Sequence, residues 1–440
     1  MIRVIKSSLA KLDIHTLEVL KKSSSSLLVK ILGMVAAFVV SIILGRTIGP
    51  DGLGIITLAN QIVSIVLIFG MLGMDNVILK EISISYENKD WQHITNTIYT
   101  ALRINIPLAL SITVIFIYLA PWLTINIFNE PALNAPLIIA LLVVLPQIVS
   151  RIFASGINGF RKIWQSNLVN DTLSVGVVAI GLIILLFFKI QITIINVAIL
   201  YALGRVVVMI AVTTYWNHLF KFSAKRNSVS RKMLKVALPL LAVSATNMIS
   251  SNADTVMLGW LSNTREVGFY SVAARLALLT SFFHIVTTSS LTPKIASLYG
   301  QNKTVELQKM VQQVTKGLGL IGFAGVIVFV FAGKFILSLW GNEFTIAYFP
   351  LIIIAIGQFF NIATGATGII LIMSGNEKLV GYVSIFAVIL NLLLNYIFIP
   401  KYGAVGAAFT TAITISFSNL IKLLLVKWRL KIWTIPFINN

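Results

Sequence analysis

No cysteine occurs in the 440 residues, which excludes disulfides, thiolate metal sites and cysteine nucleophiles. Acidic side chains are scarce too: 14 Asp and Glu stand against 34 Lys and Arg, for a net charge of +20. Charged residues make up 11% of the chain and hydrophobic ones 58%, where soluble domains carry about 25% and 45–50%. So little charge cannot cover so much apolar surface in water. There is no G-x-x-x-x-G-K-[ST] phosphate cradle, so the chain is not expected to hydrolyse ATP. Its four histidines show neither H-E-x-x-H nor any other metal-ligand spacing. With no catalytic constellation in view, an enzyme is not expected.

What is present is a succession of apolar runs, each long enough to cross a ~30 Å hydrocarbon core. Bounded by charge, Pro and Gly, they fall at 25–46, 54–75, 97–120, 135–156, 168–188, 192–215, 236–260, 267–292, 317–340, 347–373, 378–399 and 403–426. Ahead of them, Ile5, Leu9, Leu12 and Val19 or Leu20 recur at helical spacing among charges, so 1–24 reads as an amphipathic segment lying on the cytoplasmic face. With the N-terminus inside, the cytoplasmic segments collect about 23 Lys and Arg and the periplasmic ones about five (Arg46, Lys189, Arg265, Lys334 and Lys401). Positive-inside bias then puts both termini in the cytoplasm. The basic surplus lies in loops on one side, so no nucleic acid partner is expected.

The second half repeats the first. Residues 43–83 align without gaps onto 257–297, 214 positions later: Leu44-Gly45 on Leu258-Gly259, Gly54 on Gly268, and Ala59, Phe69, Lys80 and Ser83 on Ala273, Phe283, Lys294 and Ser297. The offset persists at Pro136/Pro350 and Leu137-Ile138-Ile139/Leu351-Ile352-Ile353, then slips by two at Gly159/Gly375 and Lys162/Lys378. Six spans, an even number, separate the copies, so both enter the membrane from the same side. The expected fold is therefore an all-α integral membrane protein: twelve transmembrane helices in two six-helix lobes related by a pseudo-twofold axis along the membrane normal, with a path between them. The lobes would be 25–216 and 236–427, joined by a basic cytoplasmic linker at 217–235 and followed by a tail at 428–440.

Ionisable side chains inside the bilayer each need a reason, at roughly 2.5–3.5 kcal/mol on insertion scales. Lys30, Arg103, Arg151 and Asp171 lie within about two turns of cytoplasmic ends and can snorkel. Lys30 shares a polar or small stripe with Ala37 and Ser41. Arg205 and Arg275 lie deeper. On the seventh span Ser244, Asn247, Ser251 and Asp254 fall on one face, which must line water or pack on a helix. Asp254 and Arg275 have similar depth, so they form either an ion pair stapling adjacent helices or a substrate-responsive couple. His284, about 180° around from Arg275, reads as a packed, satisfied histidine. Asn60 and Gln61 occupy the repeat positions of Ala274 and Arg275. Asn391 and Asn395, at i and i+4, could join Thr411 and Asp254 in a hard-oxygen cluster suited to a small cation; the simpler reading is that the two amides bond across helices.

The segments LGRTIGPDGLGIITLANQIVSI and NLLLNYIFIPKYGAVGAAFTTAIT resemble those of polysaccharide flippases of the Wzx type, in the superfamily that also holds the multidrug exporters called MATE and the lipid II flippases. The resemblance spans the chain and implies a MATE-like fold. It implies translocation of an undecaprenyl-diphosphate-linked oligosaccharide from the cytoplasmic to the periplasmic leaflet, for O-antigen or a related surface polysaccharide. Lipid II flippases carry two further C-terminal helices, so the end after span twelve directs the expectation to the polysaccharide branch. Some members of the superfamily hold sodium in an arrangement like Asp254, Asn391, Asn395 and Thr411, although an acid is expected at Asn395. The expectation is thus no cofactor, with sodium or proton coupling at those four residues. The substrate side would use Arg275, Lys30, Arg205, Gln61, Asn247 and Ser251. Further partners would be membrane lipid and a polysaccharide polymerase or glycosyltransferase, the flippase itself being a monomer. A cation-coupled drug exporter on the same fold is the alternative, disfavoured by the basic character of the deep residues. A membrane sugar transferase or polymerase is a further one, disfavoured by the short outward loops.

The charge count yields a test. Reporter fusions after Asn263 and Asn342 should lie outside, and fusions after Asn227 and Asn302 inside; any one on the wrong side would break the two-lobe topology.

Overall fold

The computed structural model describes residues 14–222 and 230–436. Among them every regular element is helical. In the first half these are α1 Ile14–Met71, α2 Met74–Glu87, α3 Trp91–Trp122, α4 Asn134–Leu142, α5 Val144–Gly159, α6 Ile163–Asn167, α7 Leu173–Phe187 and α8 Ile194–Leu219. The second half holds α9 Ser230–Leu261, α10 Thr264–Gly300, α11 Thr304–Ser338, α12 Tyr348–Ala363, α13 Thr367–Met373 and α14 Glu377–Leu430. Residues 1–13 of the amphipathic segment, 223–229 of the linker and 437–440 of the tail lie outside the described residues.

The absence of water in hydrocarbon leaves helices as the natural way to satisfy the backbone. Two of them are twice the length a bilayer needs. Leu28–Met71 runs 44 residues and Glu377–Leu430 runs 54, about 66 and 81 Å at 1.5 Å per residue. Each is broken once. Gly49 takes φ 68°, ψ −174° immediately before Pro50, and Gly403 takes φ 53°, ψ −130° three residues after Pro400. Side-chain-bearing residues rarely reach such backbone angles, and no Cβ neighbour lies within 4 Å at Gly49, so conformation and not space requires glycine there. With each bent pair taken as one span, ten described segments are long and apolar enough to cross a membrane. The breaks at Gly49 and Gly403 each divide one of these into two, which makes twelve.

Three spans bend, by 41° between Leu142 and Val144, 44° between Asn170 and Leu173, and 47° between Thr246 and Met248. The last bend interrupts the polar stripe of the seventh span. Asp254 and Ser250, one turn apart below the bend, share a cavity wall, while Ser251 is exposed. Along the expected stripe Ser244 is half-buried, Ser251 exposed and Asp254 buried. The side chain of Asn247 lies outside those described.

The connections expected on the cytoplasmic side are more helical than the hydropathy pattern indicates. Residues 74–87 form α2, entered through a left-handed Gly73 and burying Met74, Val77, Ile78 and Ile82. Lys80 and Glu81 interrupt the apolar run without interrupting the 3.6-residue period. Ile82 packs where a Cβ on Gly156 or Gly159 would stand, and Tyr86 joins the ring of Phe160, which stacks on Trp216 at 5.3 Å. Likewise α10 continues through Pro293 to Gly300, and α11 starts at Thr304 with Leu307 and Val311 buried. The segment 293–316 is thus mostly helix.

By contacts the chain divides into two compact units: the first holds residues up to Ile43, Ile62–Thr124 and Pro131–Ala245, the second Leu44–Gln61, Ile125–Glu130 and Thr246 onward. Within the second, the repeat-equivalent glycines meet. A Cβ on Gly54 would land on the carbonyl oxygen of Thr264, and one on Gly268 on that of Pro50. Thr264 and Pro50 are themselves 214 residues apart, so the crossing is symmetric under the repeat. Gly54→Ala and Gly268→Ala should each destabilise the purified protein by about 1–3 kcal/mol, as overpacking does. Gly176→Ala, in open space, should not. Equal melting temperatures for all three would refute the crossing.

Candidate functional site

The second unit contains a buried carboxylate with four neutral hydrogen-bond partners. Asp254 sits on α9 and is 8% exposed. Its Oδ1 accepts from the amide nitrogens of Asn391 (2.9 Å) and Asn395 (2.6 Å), both on α14 before the break at Gly403. Its Oδ2 accepts from the hydroxyls of Thr411 (2.6 Å), beyond that break, and Tyr270 (2.8 Å), on α10. Tyr270 and Thr411 also touch at 2.9 Å, and Asn395 donates to Asn391 Oδ1 at 3.1 Å. The four residues expected to gather do gather. Tyr270 was not foreseen: a single hydroxyl in an apolar run has no period to reveal it.

The ion-pair reading of Asp254 with Arg275 is not borne out, since all the partners of Asp254 are neutral. Similar depth does not fix azimuth. Arg275 follows Tyr270 by five residues, about 140° around the helix, so when Tyr270 faces Asp254 the arginine points elsewhere. Gln61 is half-buried and Lys30 exposed on α1. His284 is not the satisfied histidine expected, because its Nδ1 is buried without a hydrogen-bond partner.

Asn395 is fully buried, and its Oδ1 has no hydrogen-bond partner. An orphan acceptor beside a carboxylate, two further amide and hydroxyl oxygens and a phenol forms a hard-oxygen set of the type that small hard cations take. No cluster of three or more His, Cys, Asp or Glu that could hold a metal occurs among the described residues. The residues present fit a monovalent cation or a proton, with one carboxylate as the single formal charge.

Asp254, Asn391 and Thr411 wall a cavity of about 270 Å³ that extends past Asn361, Ser384 and Asn419 to Lys422. The first unit has a counterpart of about 250 Å³, walled by Asp75, Gln147, Ser150, Arg151, Asn170, Ser174 and Arg205, among others. The two cavities occupy the same positions of the repeat. At the offset of 214, regained beyond the local slip at Gly159 and Lys162, Gln147 pairs with Asn361, Asn170 with Ser384, Ser174 with Val388, Arg205 with Asn419 and Val208 with Lys422, and all ten are lining residues. Arg205, expected on the substrate side, therefore lies in the first cavity, and Asp254 in the second.

Twelve apolar spans define a multi-pass membrane protein, with a polar cavity inside each of its two units. The sequence profile described as "Polysaccharide biosynthesis protein" matches residues 19–299, and the chain belongs to that family. The MatE profile matches residues 239–397. Among relatives, a capsular polysaccharide biosynthesis protein, CapF, from Staphylococcus aureus is 25% identical over 46% of this chain and 49% of its own length. The chain thus spans about half the length of the curated relatives it matches. Among solved structures, an inward-facing multidrug resistance MATE family transporter of the MOP superfamily superposes with a TM-score of 0.76 at 15% identity, covering 90% of this chain and 94% of the other. The lipid II flippase MurJ does so at 0.75 and 17%, covering 93% and 87%. The fold is MATE-like, and these neighbours are transporters and flippases, not enzymes.

Replacing Tyr270 by Phe removes one of the four donors to Asp254 while keeping the ring. Because hydrogen bonds to a charged group contribute about 1.5–3 kcal/mol, Tyr270→Phe should lower the unfolding midpoint measurably in detergent. Asp254→Leu, which strands all four donors, should lower it further. An unchanged midpoint for both would remove the carboxylate from its central position.

Proposed function

We propose that this protein flips a polyprenyl-diphosphate-linked oligosaccharide from the cytoplasmic to the periplasmic leaflet of the inner membrane, serving O-antigen or a related surface polysaccharide. Membership of the polysaccharide biosynthesis family carries the reading, and the fold it shares with a lipid II flippase supports it. A diphosphate with its sugars cannot cross hydrocarbon unaided, because an unpartnered anion there is very costly. Two lobes, 25–216 and 236–427, exposing polar surface alternately would lower that barrier while the prenyl tail stays in lipid. Arg275 is assigned to the diphosphate on its depth in α10 and the match of its planar fork to phosphate oxygens. Lys30, Arg205, Gln61, Asn247 and Ser251 are assigned supporting contacts with the cargo. Sodium or a proton at Asp254, Asn391, Asn395 and Thr411 is assigned the coupling. Both termini are placed in the cytoplasm, and the protein works as a monomer beside the polymerase or glycosyltransferases that consume or build its cargo.

The MatE match over 239–397 favours one second reading, a cation-coupled drug exporter. A deletion strain separates the two. It should lose surface polysaccharide and accumulate undecaprenyl-linked repeat units, and Arg275→Ala or Arg275→Lys should fail to restore export at normal membrane levels. Unchanged polysaccharide together with new drug sensitivity would establish the exporter. Thermal stability and transport both indifferent to sodium would remove sodium and leave the proton.

A further inference from the structure

The two repeat-equivalent cavities have diverged in chemistry. In the second, Asn419 donates to Asn361 at 3.0 Å, so the two amides close on each other across α12 and α14. Their counterparts in the first are Arg205 and Gln147, and these do not bond. Arg205 makes no hydrogen bond and no ion pair among the described residues, and neither does Asp75, whose Oδ1 is buried. A guanidinium and a carboxylate thus wall one cavity of about 250 Å³ without meeting. Gln147, Ser150, Asn170 and Ser174 add neutral donors and acceptors to the wall around them, and Arg151 adds a second cation.

Opposite charges held apart in a polar enclosure suit a guest that satisfies both. It must carry an oxyanion for the arginine fork and hydroxyl donors for the carboxylate. Free inorganic phosphate has no such hydroxyl array, and an acyl-chain lipid brings tails that this wall would not accept. The volume approaches the lower end of small-molecule pockets, about 300 Å³, and takes one monosaccharide ring, not an oligosaccharide. The second cavity is built differently: Asn419 stands in place of Arg205, its cation is Lys422, and its carboxylate, Asp254, already accepts from four donors.

We propose that the cavity walled by Arg205 and Asp75 is a binding site for a single acidic sugar, a uronate or a sugar phosphate, read through its oxyanion by Arg205 and through its ring hydroxyls by Asp75. The identification of the guest as part of the cargo rests on the flippase reading; the site does not.

The test uses the purified full-length protein in neutral detergent, with calorimetric titration of methyl glucuronide, glucose 1-phosphate, inorganic phosphate and the uncharged methyl glucoside. At least one of the two acidic sugars should bind saturably and at least tenfold more tightly than both methyl glucoside and inorganic phosphate. Arg205→Gln should lose at least tenfold for that ligand, whereas Lys422→Gln, in the other cavity, should not. Wild-type protein that fails to prefer an acidic sugar overturns the site without recourse to any variant, as does Arg205→Gln with wild-type affinity. Inorganic phosphate binding as well as glucose 1-phosphate assigns the cavity to a bare anion and also overturns it. If deletion abolishes surface polysaccharide while no acidic sugar binds, the site falls and the flippase stands. If binding is confirmed but deletion leaves polysaccharide intact, the flippase reading falls and the site stands.

Discussion

The Asp254 carboxylate is the group through which α9, α10 and α14 of the second unit are hydrogen-bonded to one another. Four donors, one from α10 and three from the two arms of α14, converge on its two oxygens. Buried carboxylates without such partners are expensive by several kcal/mol, so the positions of α9, α10 and both arms of α14 are tied to one another through it. The break at Gly403 serves the same end. It lets Asn391 and Asn395 on one arm and Thr411 on the other reach one carboxylate, which a straight helix of 54 residues could not do.

The repeat shows how one scaffold was given two chemistries. Backbone-level features are retained at the offset of 214, above all the crossing at Gly54 and Gly268, where each glycine faces a carbonyl that is itself a repeat partner. Such a contact tolerates no side chain on either copy, so both glycines are held by sterics alone. The cavity walls face a weaker constraint. Gln147 and Asn361 keep an amide, but Arg205 against Asn419 and Val208 against Lys422 exchange a cation for a neutral group in opposite senses one turn apart. Asp254 has Val40 at its repeat position, so the carboxylate cluster belongs to one copy only.

What was legible in the sequence follows from what has a period. The twelve spans carry the strongest signal, because hydrocarbon thickness sets both their length and their composition. Asn391 and Asn395 could be placed on one face by i, i+4 spacing, and the resemblance joined them to Asp254 and Thr411. The helices at 74–87 and 304–316 were hidden because their apolar residues form a stripe and not a run. The pairing of Asp254 with Arg275 failed for a different reason: depth can be counted along a helix, but which way a side chain points relative to a neighbouring helix depends on packing that one sequence does not display. Tyr270 and Asp75 lay beyond reach on the same ground. Asp75 and Arg205 are 130 positions apart in sequence, and only folding brings them to one wall.

The saturation of Asp254 has a mechanical corollary. A small cation or a proton at this carboxylate competes with the donors already there, since its two oxygens offer about four lone-pair sites and all are engaged. Neutralising Asp254 weakens bonds that run to Tyr270 on α10 and to both arms of α14 at once. Whatever occupies the site therefore changes the constraint between these helices and not merely the charge of one residue. By linkage, any rearrangement that releases Thr411 or the asparagines must alter the affinity of the carboxylate for that occupant by the same free energy. A coupling ion needs no contact with the cargo under this arrangement. It needs a carboxylate whose partners sit on separate segments, and those of Asp254 sit on α10 and on both arms of α14.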